Sequence, residues 1–340
     1  MNVRTMATVT MAILLSTMLS TSPIAAQSTP AAQLLVLSKR DQTLAIVDPA
    51  SLQVLTTLPA GPDPHEVVAS ADGKMAFIAN YGGGAYNTIS VVDLTKQKAL
   101  PRIDLGALRG PHGLAFAAGK VYFTAEINKV IGRYDPVADK IDWILGTGQN
   151  RTHMIAVSSA MDHIFTSNVN SGTISIIERT AGPAGEDAID WNETVIDTGR
   201  GTEGFDISPD GKELWSAAAD DGTISIIDLA AKKRVLTLPA NVKGANRLKF
   251  TTDGKLVFVS SLSGGGGLAV FEASSRREVK RVNVGHGAAG ILMQPDGMRA
   301  YVACSPDNYV VAIDLKTLEV TGRINAGQQP DGLAWAVRRE

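Results

Sequence analysis

The chain has 340 residues, 44% of them hydrophobic and 19% charged, and its formal net charge is −2. That length and apolar fraction can build a large core, and the near-neutral balance gives no global pull toward nucleic acid or an anionic membrane. One cysteine, Cys304, excludes an intrachain disulfide and a cysteine-based zinc site.

The first 26 residues read as a secretory signal peptide. Arg4 supplies a small positive head, and Met6 to Leu19 is an apolar stretch interrupted by threonines and Ser16. Ser22-Pro23-Ile24-Ala25-Ala26 then offers a small-residue cleavage site, with cutting expected after Ala26. The apolar stretch is shorter than the ~20 residues a spanning helix needs, and no later segment is apolar enough to span a bilayer. A bacterial signal of this kind places the mature chain in the periplasm or outside the cell. Residues 27–32 form a polar leader, and residues 33–340 are expected to form a single domain.

From Gln33 onward one unit repeats, and its fifth copy shows it best. Glu203 to Ser208 reads as a first strand, Glu213 to Ala217 as a second, Thr223 to Asp228 as a third and Lys233 to Leu238 as a fourth. Pro209-Asp210-Gly211-Lys212 and Ala219-Asp220-Asp221-Gly222 are the turns between them, and such turns between β-branched runs signal hairpins. The turn recurs as Ala71-Asp72-Gly73-Lys74, Thr252-Asp253-Gly254-Lys255 and Pro295-Asp296-Gly297-Met298. The third strand recurs around Thr43–Asp48, Thr88–Asp93, Thr173–Glu178 and Val310–Asp314. Four strands with a period of ~40–45 residues predict an all-β fold, a seven-bladed β-propeller of four-stranded blades. The first unit begins at a second strand (Leu34 to Leu37) and the chain ends on a first strand (Asp331 to Ala336). The C-terminal strand should therefore complete blade one and close the ring, leaving no open edge. Blades three and four deviate in their first turns, and roughly Thr180 to Trp191 is expected to be an inserted surface loop.

Ala76-Phe77-Ile78-Ala79-Asn80 and Ala300-Tyr301-Val302-Ala303-Cys304, each followed by a strand of the Thr-Ile-Ser-Val-Val-Asp kind, resemble YVTN-family propeller repeats. Cys304 stands where that family has Asn. The resemblance covers essentially the whole mature chain. It implies the propeller fold, and it spans relatives that include surface-layer proteins, nucleic-acid binders, lactonase-like enzymes and metal-binding oxidoreductase-like propellers.

One position at the start of each first strand carries the functional reading. It is occupied in turn by His65, His112, His153, Glu203, Asn246, Ala289 and Asp331. First strands line a propeller's channel, so these side chains should converge at one mouth. Three imidazoles on consecutive blades suit a divalent transition metal such as zinc, copper or iron, and leave coordination positions open. Glu126, at the end of the second strand of blade three, is expected beside His112, equivalent to Asn80, Asn168, Ala218, Ser261, Cys304 and Ser38. Glu126 and Glu203 are candidates for proton transfer, with Glu126 also a possible fourth ligand or tautomer-fixing partner. Arg109, Arg151, Arg200 and Lys243, just upstream of the slot, would form a cationic collar for a small anionic molecule. Tyr81 and Tyr86 could cover the site, and Asp331 could contact the substrate. His163 is expected at the opposite mouth, His286 in the collar, and Cys304 at a strand end near the mouth.

The expected function is a metal-dependent enzyme, either a hydrolase, lactonase or lyase, or an oxidoreductase, acting on a small anion. The competing reading is a non-enzymatic scaffold for a protein, glycan or nucleic acid. Against nucleic acid, aromatics are only 5% and the basic residues form a narrow rim. No Gly-x-Ser-x-Gly elbow, phosphate loop or calcium loop occurs.

Overall fold

Met1 aside, the computed structural model describes residues 31–181, 189–263 and 267–338. The proposed signal peptide and most of the leader lie outside the described residues. Seven antiparallel four-stranded sheets form the blades. Their inner strands are Pro330–Val337, Pro64–Ala69, Pro111–Ala117, Thr152–Val157, Thr202–Ile207, Ala245–Phe250 and Ala288–Met293, for blades one to seven. Blade one closes as expected: Pro330–Val337 pairs with Ala32–Ser38, setting Leu34 against Trp335 and Val36 against Leu333.

Second strands such as Met75–Asn80 and Lys120–Ala125 are almost wholly buried, because both faces pack against neighbouring blades. Phe77, Ile89, Phe123 and Tyr134 share one such interface, between blades two and three. Outer strands alternate instead: Lys140–Gly146 turns every second side chain to solvent, the pattern of a half-covered strand. The insertion in blade four is not simply a loop. Thr173–Ala181 and Ile189–Asp197 pair along their whole length, down to Ala181 opposite Ile189. Among the described residues no helix is long and apolar enough to cross a membrane.

Three backbone features repeat on every blade and aim the slot. First, each inner strand carries a bulge there. Thr152 lies opposite Asn168 and Ile155 opposite Thr166, so His153 and Met154 together face Ser167. The same shift occurs after Pro64, Pro111, Thr202, Ala245 and Ala288, and at Pro330–Leu333. A bulge re-aims side chains; here it puts two consecutive residues per blade toward the channel. Second, the residue two places before the slot has positive φ on all seven blades: Asp63, Gly110, Arg151, Gly201, Gly244, Gly287 and Gln329. Glycine takes this conformation freely, whereas a side chain there costs about 1 kcal/mol. Third, the carbonyl of that residue accepts the N–H of the residue just beyond the second strand. The donors are Tyr81, Glu126, Val169, Ala219, Leu262, Ser305 and Lys39, at 2.9–3.2 Å.

This third feature corrects a register. Ala125, not Glu126, is the counterpart of Asn80, Asn168 and Cys304, since Ala125 faces Pro111 as Asn80 faces Pro64. Glu126 is one residue further on, in a short 3₁₀ turn over Glu126–Asn128. Its true counterparts include Tyr81 and Lys39, and both of these also touch channel residues.

Candidate metal centre

The bulged slot brings the three histidines together. The ring centroids of His112 and His153 are 3.7 Å apart, and those of His65 and His112 are 5.1 Å apart. His112 and His153 are fully buried, while His65 keeps 18% of its side chain open. The Glu126 carboxylate reaches into this group. One oxygen meets His153 Nδ1, and the other accepts the Tyr81 hydroxyl at 2.6 Å and lies 3.4 Å from Arg151 Nε. His153 Nε2 in turn contacts Glu203 at 3.0 Å. His112, Glu126 and His153 each offer one ligating atom such that all three lie within 4.8 Å of one another. His65 stands outside this triangle. It packs edge-on against Tyr81 and His112 and sits 3.2 Å from Asp63 and 3.7 Å from Asp331.

Protonation follows from these neighbours. Burial, and then the nearby His153, hold His112 well below the ordinary imidazole range, so it is neutral at pH 7. Its Nδ1 is buried and has no hydrogen-bond partner among the described residues. His153 is the opposite case. Burial works against its charge, but Glu126 and Glu203, one on each ring nitrogen, raise it above the ordinary value. Burial alone would raise both carboxyls, yet their hydrogen bonds to His153 outweigh it and hold them low. Burial and the bond to Glu126 push the Tyr81 hydroxyl up to about 12, keeping it a donor at any ordinary pH.

The second strands tie the slots to one another. Thr124 Oγ1 accepts the amide of Gly113 at 2.9 Å and donates to the carbonyl of His153 at 2.8 Å. Ser167 repeats this one blade on, accepting from Met154 at 3.2 Å and donating to the carbonyl of Glu203. A string of amide, hydroxyl and carbonyl groups therefore links the backbones at His112, His153 and Glu203. Ala217 occupies the same place in blade five, and the string stops there.

The collar does not converge. Arg200 is 81% exposed and paired with Asp221 at 2.8 Å, and Arg109 and Lys243 are also exposed, away from the cluster's contacts. Arg151 alone touches it. The cations that reach the channel residues are instead Lys39, part-buried and 2.8 Å from Asp331, and buried Arg247, paired with Glu66 across the channel between blades six and two. Period-two alternation would turn Glu66 and Arg247 away from the channel, and only the bulge brings them in. Tyr86 is exposed, and its ring packs close to Gly82. His286 is exposed and held by Asp307. His163 begins its strand at the far end of blade four, stacked on Phe165 and next to Asp162.

Cys304 is wholly buried and its Sγ bonds the Val284 carbonyl at 3.2 Å. Burial pushes its thiol up to about 12. The reactive thiolate is therefore absent from the native protein at pH 8. A chromogenic disulfide reagent at that pH should label about one thiol per chain only after denaturation; rapid labelling of the native protein would contradict this assignment.

Comparison with known proteins bears on the fold. No family model matches the chain, and no curated protein matches it. Solved structures do. A protein of unknown function from Desulfotomaculum acetoxidans DSM 771 superposes with a TM-score of 0.73 at 13% identity, covering 90% of this chain and 99% of that one. A candidate 6-phosphogluconolactonase from Bacteroides uniformis ATCC 8492 gives 0.72 at 14% identity, covering 90% and 100%. Kuenenia stuttgartiensis hydrazine synthase gives 0.64 at 17% identity, covering 80% and 89%. At these identities the likeness is one of fold.

Proposed function

We propose that this chain is an exported metal-dependent enzyme whose centre is the His112, Glu126 and His153 cluster, acting on a small anionic molecule. The observation that carries the reading is the His112 ring. It is neutral and buried, with an unpartnered nitrogen beside a carboxylate and a second imidazole. A buried polar atom left unpaired costs free energy unless something binds it. Two imidazoles and a carboxylate fit zinc, and equally copper or iron.

A metal held there would supply Lewis acidity toward a carbonyl or ester oxygen of a ligand. The protein's own residues do the rest. Tyr81 occupies one oxygen of Glu126, leaving the other for the cluster. Glu203 orients His153 through Nε2 and is a candidate base at the edge of the cluster. His65, with Asp63 and Asp331, offers a second proton-carrying group at the open side of the cluster. Ester or lactone hydrolysis suits a redox-silent metal, and the name of the Bacteroides uniformis propeller agrees with that chemistry without carrying it. Iron or copper would favour oxidoreductase chemistry.

The test is elemental analysis of protein purified without a histidine tag, alongside a His112→Ala variant. The expected result is about one equivalent of metal in the wild type, and loss of affinity by a factor of about 100 or more in the variant. Wild-type protein that takes up no zinc, copper or iron under any loading condition would refute the proposal.

A further inference from the structure

The residue two places before each slot sits at positive φ, and on four blades it is glycine: Gly110, Gly201, Gly244 and Gly287. The others keep a side chain in a conformation that disfavours one. Asp63 (φ 44) has an evident use: it accepts the Gly82 amide at 2.8 Å and steadies His65. Arg151 (φ 57) is held more loosely within the chain. Its Nε lies 3.4 Å from Glu126, long for a charge-assisted bond. The Glu126 oxygen it approaches already takes the Tyr81 hydroxyl at 2.6 Å. Meanwhile 35% of the Arg151 side chain remains open to solvent beside a buried cluster. Non-glycine residues held in strained backbone regions concentrate at binding sites.

We infer that Arg151 is the anion anchor of this site, holding a carboxylate of a small ligand whose other polar group reaches the His112, Glu126 and His153 cluster. The inference rests on the metal-centre reading, because the neighbouring carboxylates repel an anion until a cation joins the cluster. A carboxylate is favoured over a phosphate because a single guanidinium matches one planar, singly charged group. Arg109, Arg200 and Lys243, the cations that could have shared a dianion, do not converge on it.

Cobalt(II)-loaded protein supplies the test, since its visible spectrum reports ligand binding at the metal. Wild type, Arg151→Gly and Arg151→Lys are titrated with malonate, its neutral analogue malonamide, and inorganic phosphate. Glycine suits the backbone at position 151, so Arg151→Gly should keep its Tm within about 2 °C of wild type and still take up cobalt. Its malonate affinity should fall about tenfold or more, with Arg151→Lys between the two. Malonamide should bind none of them appreciably. Cobalt uptake with equal malonate affinity in wild type and Arg151→Gly would overturn the anchor alone. Phosphate binding more tightly than malonate would overturn the choice of carboxylate. Failure of wild type to take up cobalt would overturn the metal centre and the anchor with it.

Discussion

A Gly113→Ala chain is expected to lose stability and metal affinity together. Gly113 follows His112 in the bulge, at an ordinary negative φ, so its role is not conformational. A Cβ there would stand 2.4 Å from the carbonyl oxygen of His153, 2.8 Å from the Met154 Cα and 2.9 Å from the Ile155 amide. All three are backbone atoms of the next inner strand, which cannot rotate away as a side chain can. The strands of blades three and four must separate, and the Thr124 hydroxyl that bridges the Gly113 amide and the His153 carbonyl must stretch with them. Overpacking of this kind costs about 3 kcal/mol, which corresponds to a Tm lower by roughly 5 °C or more. The same displacement carries His153 away from His112, and sites of this sort tolerate only about 0.5 Å of error. Metal affinity should therefore drop by a factor of about ten or more. Gly146→Ala is the control, because a Cβ there meets nothing within 4 Å and the position is exposed. Calorimetry and metal titration of both variants check the claim. A Gly113→Ala protein that melts and binds like wild type would show that the inner strands have slack the structure denies them.

The same glycine explains how much of this molecule the sequence reveals. Strand periodicity, turn residues and the repeat are local signals, and they place every blade and the closing strand correctly. The seven-fold slot is legible for the same reason: equivalent positions in a repeat occupy equivalent places in a ring. What depends on tertiary detail is less visible. Counting from the end of the second strand puts Glu126 one residue out of register, because that strand end is not the fixed point. The true anchor is the amide-to-carbonyl bond that Glu126 shares with Tyr81 and Lys39. The collar of Arg109, Arg200 and Lys243 follows from sequence spacing, but spacing does not fix where a long side chain on a loop points, and Asp221 captures Arg200. Arg247 and Glu66 went unseen because alternation sends the residue after the slot outward, and a bulge reverses that. Gly113, Gly204, Gly290 and Gly332 occupy this place on four other blades. A glycine recurring after the slot was the available signal that inner strands approach closely there.

Truncation after Gln329 should abolish the cooperative fold. It removes Pro330–Val337, the inner strand of blade one, and so exposes the whole edge of Ala32–Ser38. Leu333 and Trp335 leave a cluster shared with Leu34, Val36, Tyr301 and Val310, and Ala334 and Ala336 leave the adjoining one. Apolar burial of that size is worth on the order of 5 kcal/mol or more before any hydrogen bond is counted, against a total stability of about 5–15 kcal/mol for a folded domain. The loss is also local to the site. Asp331 goes with the strand, which frees Lys39 and takes away one neighbour of His65. Near-ultraviolet dichroism and a melting scan should show no cooperative transition, and the exposed edge should promote aggregation. A second chain separates the loss of the strand from the cutting of the chain. The Arg338 amide donates to the Ala31 carbonyl at 2.8 Å, so the two ends lie side by side. A permuted protein that begins at Gly327, and joins Arg338 to Ala31 through a short glycine linker, carries blade one as a continuous segment. It should melt within a few degrees of wild type and bind metal with the same stoichiometry. If the truncated chain melted cooperatively at the wild-type temperature, closure of the ring would not be what holds the seven blades, and the site at their centre, in register.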